Sequence, residues 1–106
     1  MRGLREAQID ARRLLDATEA ALLQDKALLS PPEHTDIQCA MQTVYDQLEH
    51  IAAQGEGATV EVHQSLREAL RNVTQDLNRI TTPFAARRMD MRVRQALNGQ
   101  RLEAVA

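Results

Sequence analysis

Apolar residues recur every three or four positions along almost the whole chain, and this spacing limits the fold more than any other feature. It places the apolar side chains on one face of an α-helix, whereas a half-buried strand would alternate apolar and polar residues. Aromatic residues make up only 2 % of the 106 residues. An all-β sandwich, which relies on β-branched and aromatic pairs, is therefore a poor match. The pattern predicts an all-α bundle formed by a single domain, residues 1–106.

Glycine and proline are confined to short clusters, and these clusters divide the chain into four predicted helices. The helices cover about residues 3–25, 31–53, 59–81 and 84–98. The short loop between the second and third predicts an antiparallel helical hairpin. Pro83 separates the third from the fourth, because proline lacks a backbone N–H and its ring clashes with the preceding turn.

Several residues mark the ends of these helices. Ser30 and Glu33 form a capping box at the start of the second helix, and Thr59 is the predicted N-cap of the third. Gly55 is the predicted stop of the second helix, and Asn98-Gly99 supplies the stop of the fourth.

Each predicted helix carries one apolar stripe that is expected to face the core. The stripes comprise Leu4, Ala7, Ala11, Leu14, Leu15, Thr18, Ala21 and Leu22 in the first helix; Ile37, Ala40, Met41, Val44, Leu48 and Ile51 in the second; His63, Leu66, Leu70, Val73, Leu77 and Ile80 in the third; and Ala86, Met89, Val93, Ala96 and Leu97 in the fourth. Cys39 flanks the second stripe and is predicted to be a small core residue. His63 is predicted to be a half-buried core or interface residue.

Charge and cysteine content exclude several classes of protein. The net charge of −2 suggests no nucleic-acid partner, and the single cysteine rules out an internal disulfide bond. No apolar run resembles a signal peptide or approaches the ~20 residues of a membrane span, so we expect a cytoplasmic protein with no membrane partner. The charge is uneven, with a balance of −6 in residues 1–66 and +4 in residues 67–106. This imbalance favours attraction between the two halves of the folded chain, and a basic binding face is the alternative.

No residue set with the spacing of an active site or a metal site is present. Metal ligands on helices usually come in pairs three or four positions apart, but the three histidines form no His–His pair and Cys39 has no cysteine nearby. Asp46 and His50 are four positions apart, but Asp46 lies off the apolar stripe. Gly55-Glu56-Gly57 lacks the strand and the Lys-Ser/Thr of a phosphate-binding loop. We therefore expect no catalytic residue, no metal and no cofactor in this chain.

An arginine-dense segment, residues 87–94, is the main candidate for a binding surface. Long arginine stems can cover apolar surface while their guanidinium groups meet acids on the first or second helix, and this pairing is the favoured interpretation. A surface for a protein partner, formed by Arg88, Arg92 and Arg94, is the alternative. Asp90 and Arg94 can also form an ion pair along the helix.

The segment Phe84-Ala85-Ala86-Arg87-Arg88-Met89-Asp90, followed by Val93-Arg94-Gln95-Ala96-Leu97-Asn98-Gly99, resembles the C-terminal end of HscA-type chaperones. These are DnaK-like, heat-shock-type chaperones dedicated to iron–sulfur cluster assembly. Residues 4–29 are similar to the second half of the long lid helix of that family, and residues 102–105 to its chain terminus. The resemblance thus covers nearly the whole sequence. The sequence departs from the family in one respect: the hairpin arms, about residues 33–53 and 59–81, are expected to be longer than the family's by roughly two helical turns each.

The resemblance implies structural roles for the signature residues Phe84, Arg87, Arg88, Met89 and Asp90. It also implies that the chain is the distal part of a helical lid, which closes over client peptide held in a β-sandwich domain. ATP would act in an ATPase domain outside this chain, so the chain itself is not expected to be an enzyme. Its expected partner is the rest of the chaperone, and it would meet the iron–sulfur scaffold protein only indirectly.

Two further expectations follow from the lid interpretation and its rival. A first helix without its sheet-side partner should expose apolar surface near Leu4, Ala7 and Ala11, which would allow weak self-association. The rival is a stand-alone helical adaptor or regulator that binds a protein through the arginine-rich fourth helix.

Overall fold

The structure, a computed structural model, describes the backbone of residues 2–54 and 57–105 and the side chains within residues 3–54 and 57–98. Its elements are helix α1 (Arg2–Asp25), a short 3-10 helix (Lys26–Leu28), helix α2 (Pro31–Gln54) and helix α3 (Val60–Val105). No strand occurs in the described residues. The all-α prediction is confirmed, and the predicted number of four helices is wrong.

Helices α2 and α3 begin directly after their predicted N-terminal capping residues, Ser30 and Thr59. The backbone N–H of Ser30 donates to Glu33 Oε1 at 3.0 Å, and the backbone N–H of Glu33 donates to Ser30 Oγ at 3.4 Å. At the start of α3 the backbone N–H of Val62 donates to Thr59 Oγ1 at 3.2 Å. These bonds satisfy N–H groups that have no partner inside the helix. Gly55, the predicted stop of α2, lies outside the described residues.

The predicted third and fourth helices are one continuous helix, and Pro83 lies inside it. Leu70, Leu77 and Phe84 follow at intervals of seven and are at most 2 % exposed; we call this row the buried seam of α3. The helix continues because the buried seam extends past the proline. Pro83 itself is exposed, as is Arg79, whose carbonyl loses its helical partner. Water can reach that carbonyl on the solvent side, so the proline costs the helix one bond without ending it.

The predicted stop at Asn98-Gly99 is also wrong, because α3 continues through it to Val105. Asparagine and glycine cost a helix about 0.5 to 1 kcal/mol each relative to alanine. They permit a helix to end but do not force it to do so.

The core is a single layer of side chains that both α1 and α2 bury against α3. The largest of its fully buried side chains are Leu15, Ile37, Val44, Leu70 and Leu77. Helices α1 and α2 touch each other less than each touches α3. The molecule measures 66 × 29 × 17 Å, so α3, with 46 residues at 1.5 Å each, spans its whole length.

Two sequence-based expectations about burial are wrong. Ala7 and Ala11 are 8 % and 0 % exposed because α3 covers this part of α1, so the expected free apolar surface on α1 does not exist there. Leu4 is half-buried and packs against the same core. Cys39 is exposed, since it lies beside the buried stripe of α2 on the solvent side.

The buried seam of α3 should carry much of the stability. We expect Leu77→Ala to lower the free energy of unfolding by about 2 to 5 kcal/mol, because it leaves a cavity at a fully buried position. Leu23→Ala is the matched control, since Leu23 is 87 % exposed, and should change stability by less than about 0.5 kcal/mol. Urea unfolding followed by circular dichroism measures both. Equal effects for the two variants would contradict the described core.

Pro83→Ala tests the continuity of α3. In an uninterrupted helix the substitution restores one backbone hydrogen bond, so we expect a gain of about 1 to 3 kcal/mol. A break at residue 83 would instead make the substitution neutral or destabilising, because alanine has more freedom than proline in the unfolded chain. Thermal unfolding of the two proteins distinguishes these outcomes.

Candidate interaction surface

Three of the five signature residues, Phe84, Arg87 and Arg88, contact the region where α3 passes the connection between α1 and α2. The other two, Met89 and Asp90, are exposed. Phe84 is 2 % exposed and belongs to the core. One turn further along, Arg87 and Arg88 reach to opposite sides of this connection, one to α2 and the other to α1. We call Phe84, Arg87 and Arg88, with their partners Asp25 and Glu33, the arginine clamp.

Arg88 ties α3 to the end of α1. Its Nε lies 2.7 Å from Asp25 Oδ2, and a terminal guanidinium nitrogen donates to Gln24 Oε1 at 3.0 Å. The guanidinium carbon is 5.8 Å from the centroid of the Phe84 ring, within the range of a cation–π contact. The side chains of Arg88 and Asp25 are only 21 % and 14 % exposed, so this ion pair is poorly screened by solvent.

Arg87 ties α3 to the start of α2. Its guanidinium group lies 2.7 Å from one carboxylate oxygen of Glu33 and donates to the other at 2.9 Å. It also donates to the backbone carbonyl of Leu28 at 3.1 Å. Glu33 therefore accepts bonds from Arg87 and from its own capping box at once. The hydrogen bond from Arg87, together with those from Ser30, lowers the pKa of Glu33 from 4.5 to about 2.

The clamp shows arginines of the predicted fourth helix meeting acids on the first and second helices, which was the favoured interpretation of the arginine-dense segment. Arg88 is bonded to Asp25 and is therefore not free to contact a partner together with Arg92 and Arg94, the other two members of the alternative partner surface. Arg92 and Arg94 are exposed. No ion pair joins Asp90 to Arg94 in the part of the chain whose side chains are described.

The apolar stripe of the predicted fourth helix does not face the core. Met89, Val93 and Leu97 are 69 %, 51 % and 53 % exposed, and Ala86 and Ala96 are exposed beside them. Since these residues follow one another at helical spacing, they form one continuous apolar face, which we call the outer stripe. It lies on the side of α3 opposite Phe84 and Arg87, because α3 turns about 100° per residue.

A groove between the second half of α1 and the first half of α2 was not predicted. It encloses about 650 Å³, and its floor contains Leu22 and Met41. Leu23 and Tyr45 also line it, and the Tyr45 hydroxyl donates a hydrogen bond to Glu19. That bond, burial and the charges of Glu19 and Asp16 raise the pKa of Tyr45. We call this the α1–α2 groove.

The remaining candidates for chemistry are dispersed. His63 is half-buried, as predicted, and its Nδ1 is buried without a hydrogen-bond partner. Among the described side chains, those of residues 3–54 and 57–98, no three histidine, cysteine, aspartate or glutamate groups come together in a way that could hold a metal ion. None of the described helices is both long and apolar enough to cross a membrane.

One sequence signal for the clamp was overlooked. Asp25 is the last residue of α1, where the negative end of the helix dipole disfavours an acid. A carboxylate in this position indicates a cation nearby, and Arg88 supplies it. The partner could not be named from the sequence, because 63 residues separate the two.

Comparison with known proteins finds that the chain is similar to one group of chaperones. The chain is 42 % identical to an HscA chaperone homologue of Azotobacter vinelandii over 98 % of its length and 41 % identical to one of Methylobacillus flagellatus. It is 39 % identical to the chaperone HscA of Klebsiella pneumoniae. The chain matches the C-terminal region of HscA chaperones. No protein-family model and no solved structure matches it.

The chain spans only about 15 % of the length of these HscA relatives. The match therefore does not include the ATPase domain of the chaperone. The alignments run over 104 to 107 residues for 98 % of the chain. The expectation that the hairpin arms are longer than in HscA stays a prediction.

We expect Arg88→Ala to destabilise the protein by about 1 to 3 kcal/mol, because it leaves Asp25 poorly solvated and without its charged partner. Arg88→Lys should recover part of this loss, since lysine restores the charge but cannot bind Asp25 and Gln24 with one planar group. Arg92→Ala, on the exposed side of the same helix, is the control and should have almost no effect. Denaturant unfolding of the four proteins measures the differences.

The lowered pKa of Glu33 predicts a pH dependence of stability. Because folding lowers this pKa, the ionised carboxylate stabilises the protein fully above about pH 4.5, and this contribution is lost as the pH falls toward 2. We therefore expect wild type to exceed Glu33→Gln in stability at pH 6 and the difference to shrink steadily between pH 5 and pH 2. Glu49→Gln, at an exposed position of α2, should show no such trend. A wild-type advantage over Glu33→Gln that is independent of pH would contradict the clamp geometry.

Proposed function

We propose that this chain is the distal part of the helical lid of an ATP-dependent HscA-type chaperone that acts in iron–sulfur cluster assembly. In this role it braces the long lid helix while the lid is closed over client peptide. Its principal partner is the peptide-binding β-sandwich domain of the same chaperone, and it meets the iron–sulfur scaffold protein only indirectly. ATP is bound in a domain outside this chain, and the chaperone is cytoplasmic.

The observation that carries this proposal is that three residues of the family signature, Phe84, Arg87 and Arg88, form the arginine clamp. The segment of residues 84–90 that first suggested the HscA family is the one that joins all three helices at one point. A lid must move as one rigid unit, because a lid that bends would leave the peptide-binding cleft partly open and the peptide could escape. The clamp and the continuous α3 give α1 a rigid support along its length.

The arrangement offers no chemistry that competes with this role. The described titratable groups that deviate in pKa, namely Glu33, Tyr45 and Arg87, are each engaged in a bond that joins two helices. We therefore propose that the chain acts by shape and rigidity and is not an enzyme.

The peptide off-rate tests the lid role. We would join residues 1–106 to the β-sandwich and proximal lid helix of the Azotobacter vinelandii HscA homologue and follow the release of a fluorescent client peptide. We expect slower release from this protein than from the same protein lacking residues 1–106. Arg87→Ala combined with Arg88→Ala should restore much of the faster release, because the brace loosens while the chain length is unchanged. Identical peptide off-rates with and without residues 1–106 would contradict the proposed lid role.

A stand-alone adaptor remains the second candidate, favoured by the exposure of Arg92, Arg94 and the outer stripe. The genomic context separates the two functions. An upstream reading frame that continues in phase into an ATPase and a β-sandwich supports the lid. A separate gene with its own ribosome-binding site supports the adaptor.

A further inference from the structure

The molecule carries two apolar surfaces that nothing in the described chain covers, and they complement each other. The first is the α1–α2 groove, whose floor, Leu22 and Met41, is 9 % and 7 % exposed. Leu23 stands at its edge with 87 % of its surface exposed. A leucine this exposed beside an open apolar groove marks a surface that gains by being covered.

The second surface is the outer stripe of α3. Met89, Val93 and Leu97 follow at intervals of four and form a ridge about 12 Å long. A helix with anchors at such intervals is the usual occupant of an apolar groove between two helices. We propose that the chain associates with itself head to tail, with the outer stripe of one copy lying in the α1–α2 groove of the next.

Charge complementarity favours a second copy as the occupant and fixes its direction. Near Tyr45 the groove is flanked by Glu19 and Asp16, and Asp46 is next in sequence to Tyr45. Lys26 lies at the other end of the groove. These charges give the groove an acidic end and a basic end.

The outer stripe has the matching order of charges. Asp90 lies beside its first anchor, Met89, and Arg92 and Arg94 follow toward Leu97. One orientation places Asp90 near Lys26 and the two arginines near the acids around Tyr45. The opposite orientation would bring like charges together, which costs affinity.

The contact cannot be reciprocal within a pair. The outer stripe lies on the side of α3 away from the bundle, whereas the groove opens between α1 and α2 on the opposite side. When the stripe of one copy occupies the groove of a second, the second copy's stripe points away from the first. Such a heterologous contact leaves one groove and one stripe free at the ends and produces open chains. The contact is small, so we expect a dissociation constant on the order of 100 µM.

Sedimentation of the 106-residue chain and two point variants tests this inference. Leu23→Lys places a charge in the groove, and Met89→Lys places one on the stripe; both positions are exposed, so the fold should be kept, which circular dichroism verifies. Ile9→Lys and Val62→Lys are matched controls on α1 and α3 at exposed apolar positions outside both surfaces. We expect wild type and both controls to show an average mass that rises beyond twice 11.9 kDa with concentration. Each of the two variants alone should remain monomeric, with its dissociation constant raised at least about tenfold.

The mixture of the two variants is decisive. Leu23→Lys keeps an intact stripe and Met89→Lys keeps an intact groove, so together they should form pairs of one copy each and nothing larger. A wild type that stays monomeric up to about 1 mM overturns the inference, as does a mixture that stays monomeric. Dimers formed by Leu23→Lys alone would show that two stripes pair with each other, and loss of association in the control variants would place the contact elsewhere. Either result rejects the groove as the docking site.

Discussion

Everything in this fold depends on the uninterrupted buried seam of α3. The seam passes from Leu70 through Leu77 to Phe84, and α1 and α2 both pack against it rather than mainly against each other. If α3 ended at Pro83, Phe84 and the two arginines after it would have no fixed relation to the hairpin. The clamp exists because the apolar interval of seven is kept across a residue that normally ends a helix. Side-chain packing here outweighs a local backbone preference.

Most structural features that depend on neighbouring residues were predicted correctly from the sequence. The bounds of α1 and α2, the capping box at Ser30 and the N-cap at Thr59 were all predicted, because each depends on residues within four positions of one another. The buried stripes of α1 and α2 were predicted for the same reason. The fold class follows from this periodicity together with the scarcity of aromatic residues.

The stop predicted at Asn98-Gly99 was wrong because these residues permit a helix to end without forcing it to end. The other errors concern features that depend on distant contacts. Neighbouring residues alone predict that the helix breaks at Pro83. Only the burial of Phe84 shows that the helix continues. The stripe from Ala86 to Leu97 has the same periodicity as a core stripe, yet it lies on the side of α3 that faces away from α1 and α2 and is exposed. Cys39 differs from its buried neighbours only by its angular position on α2. The uneven charge along the chain indicated that the halves attract each other but could not assign Arg87 to Glu33 or Arg88 to Asp25.

The length of α3 has a mechanical consequence. A helix that spans the full 66 Å of a molecule only 17 Å thick behaves as a lever, with the clamp as its fulcrum well away from either end. Bending is resisted along the hairpin, where α1 and α2 both pack against α3, and is easiest in the unsupported stretch beyond the fulcrum. The same chain thus offers a stiff arm and a compliant arm on opposite sides of one pivot.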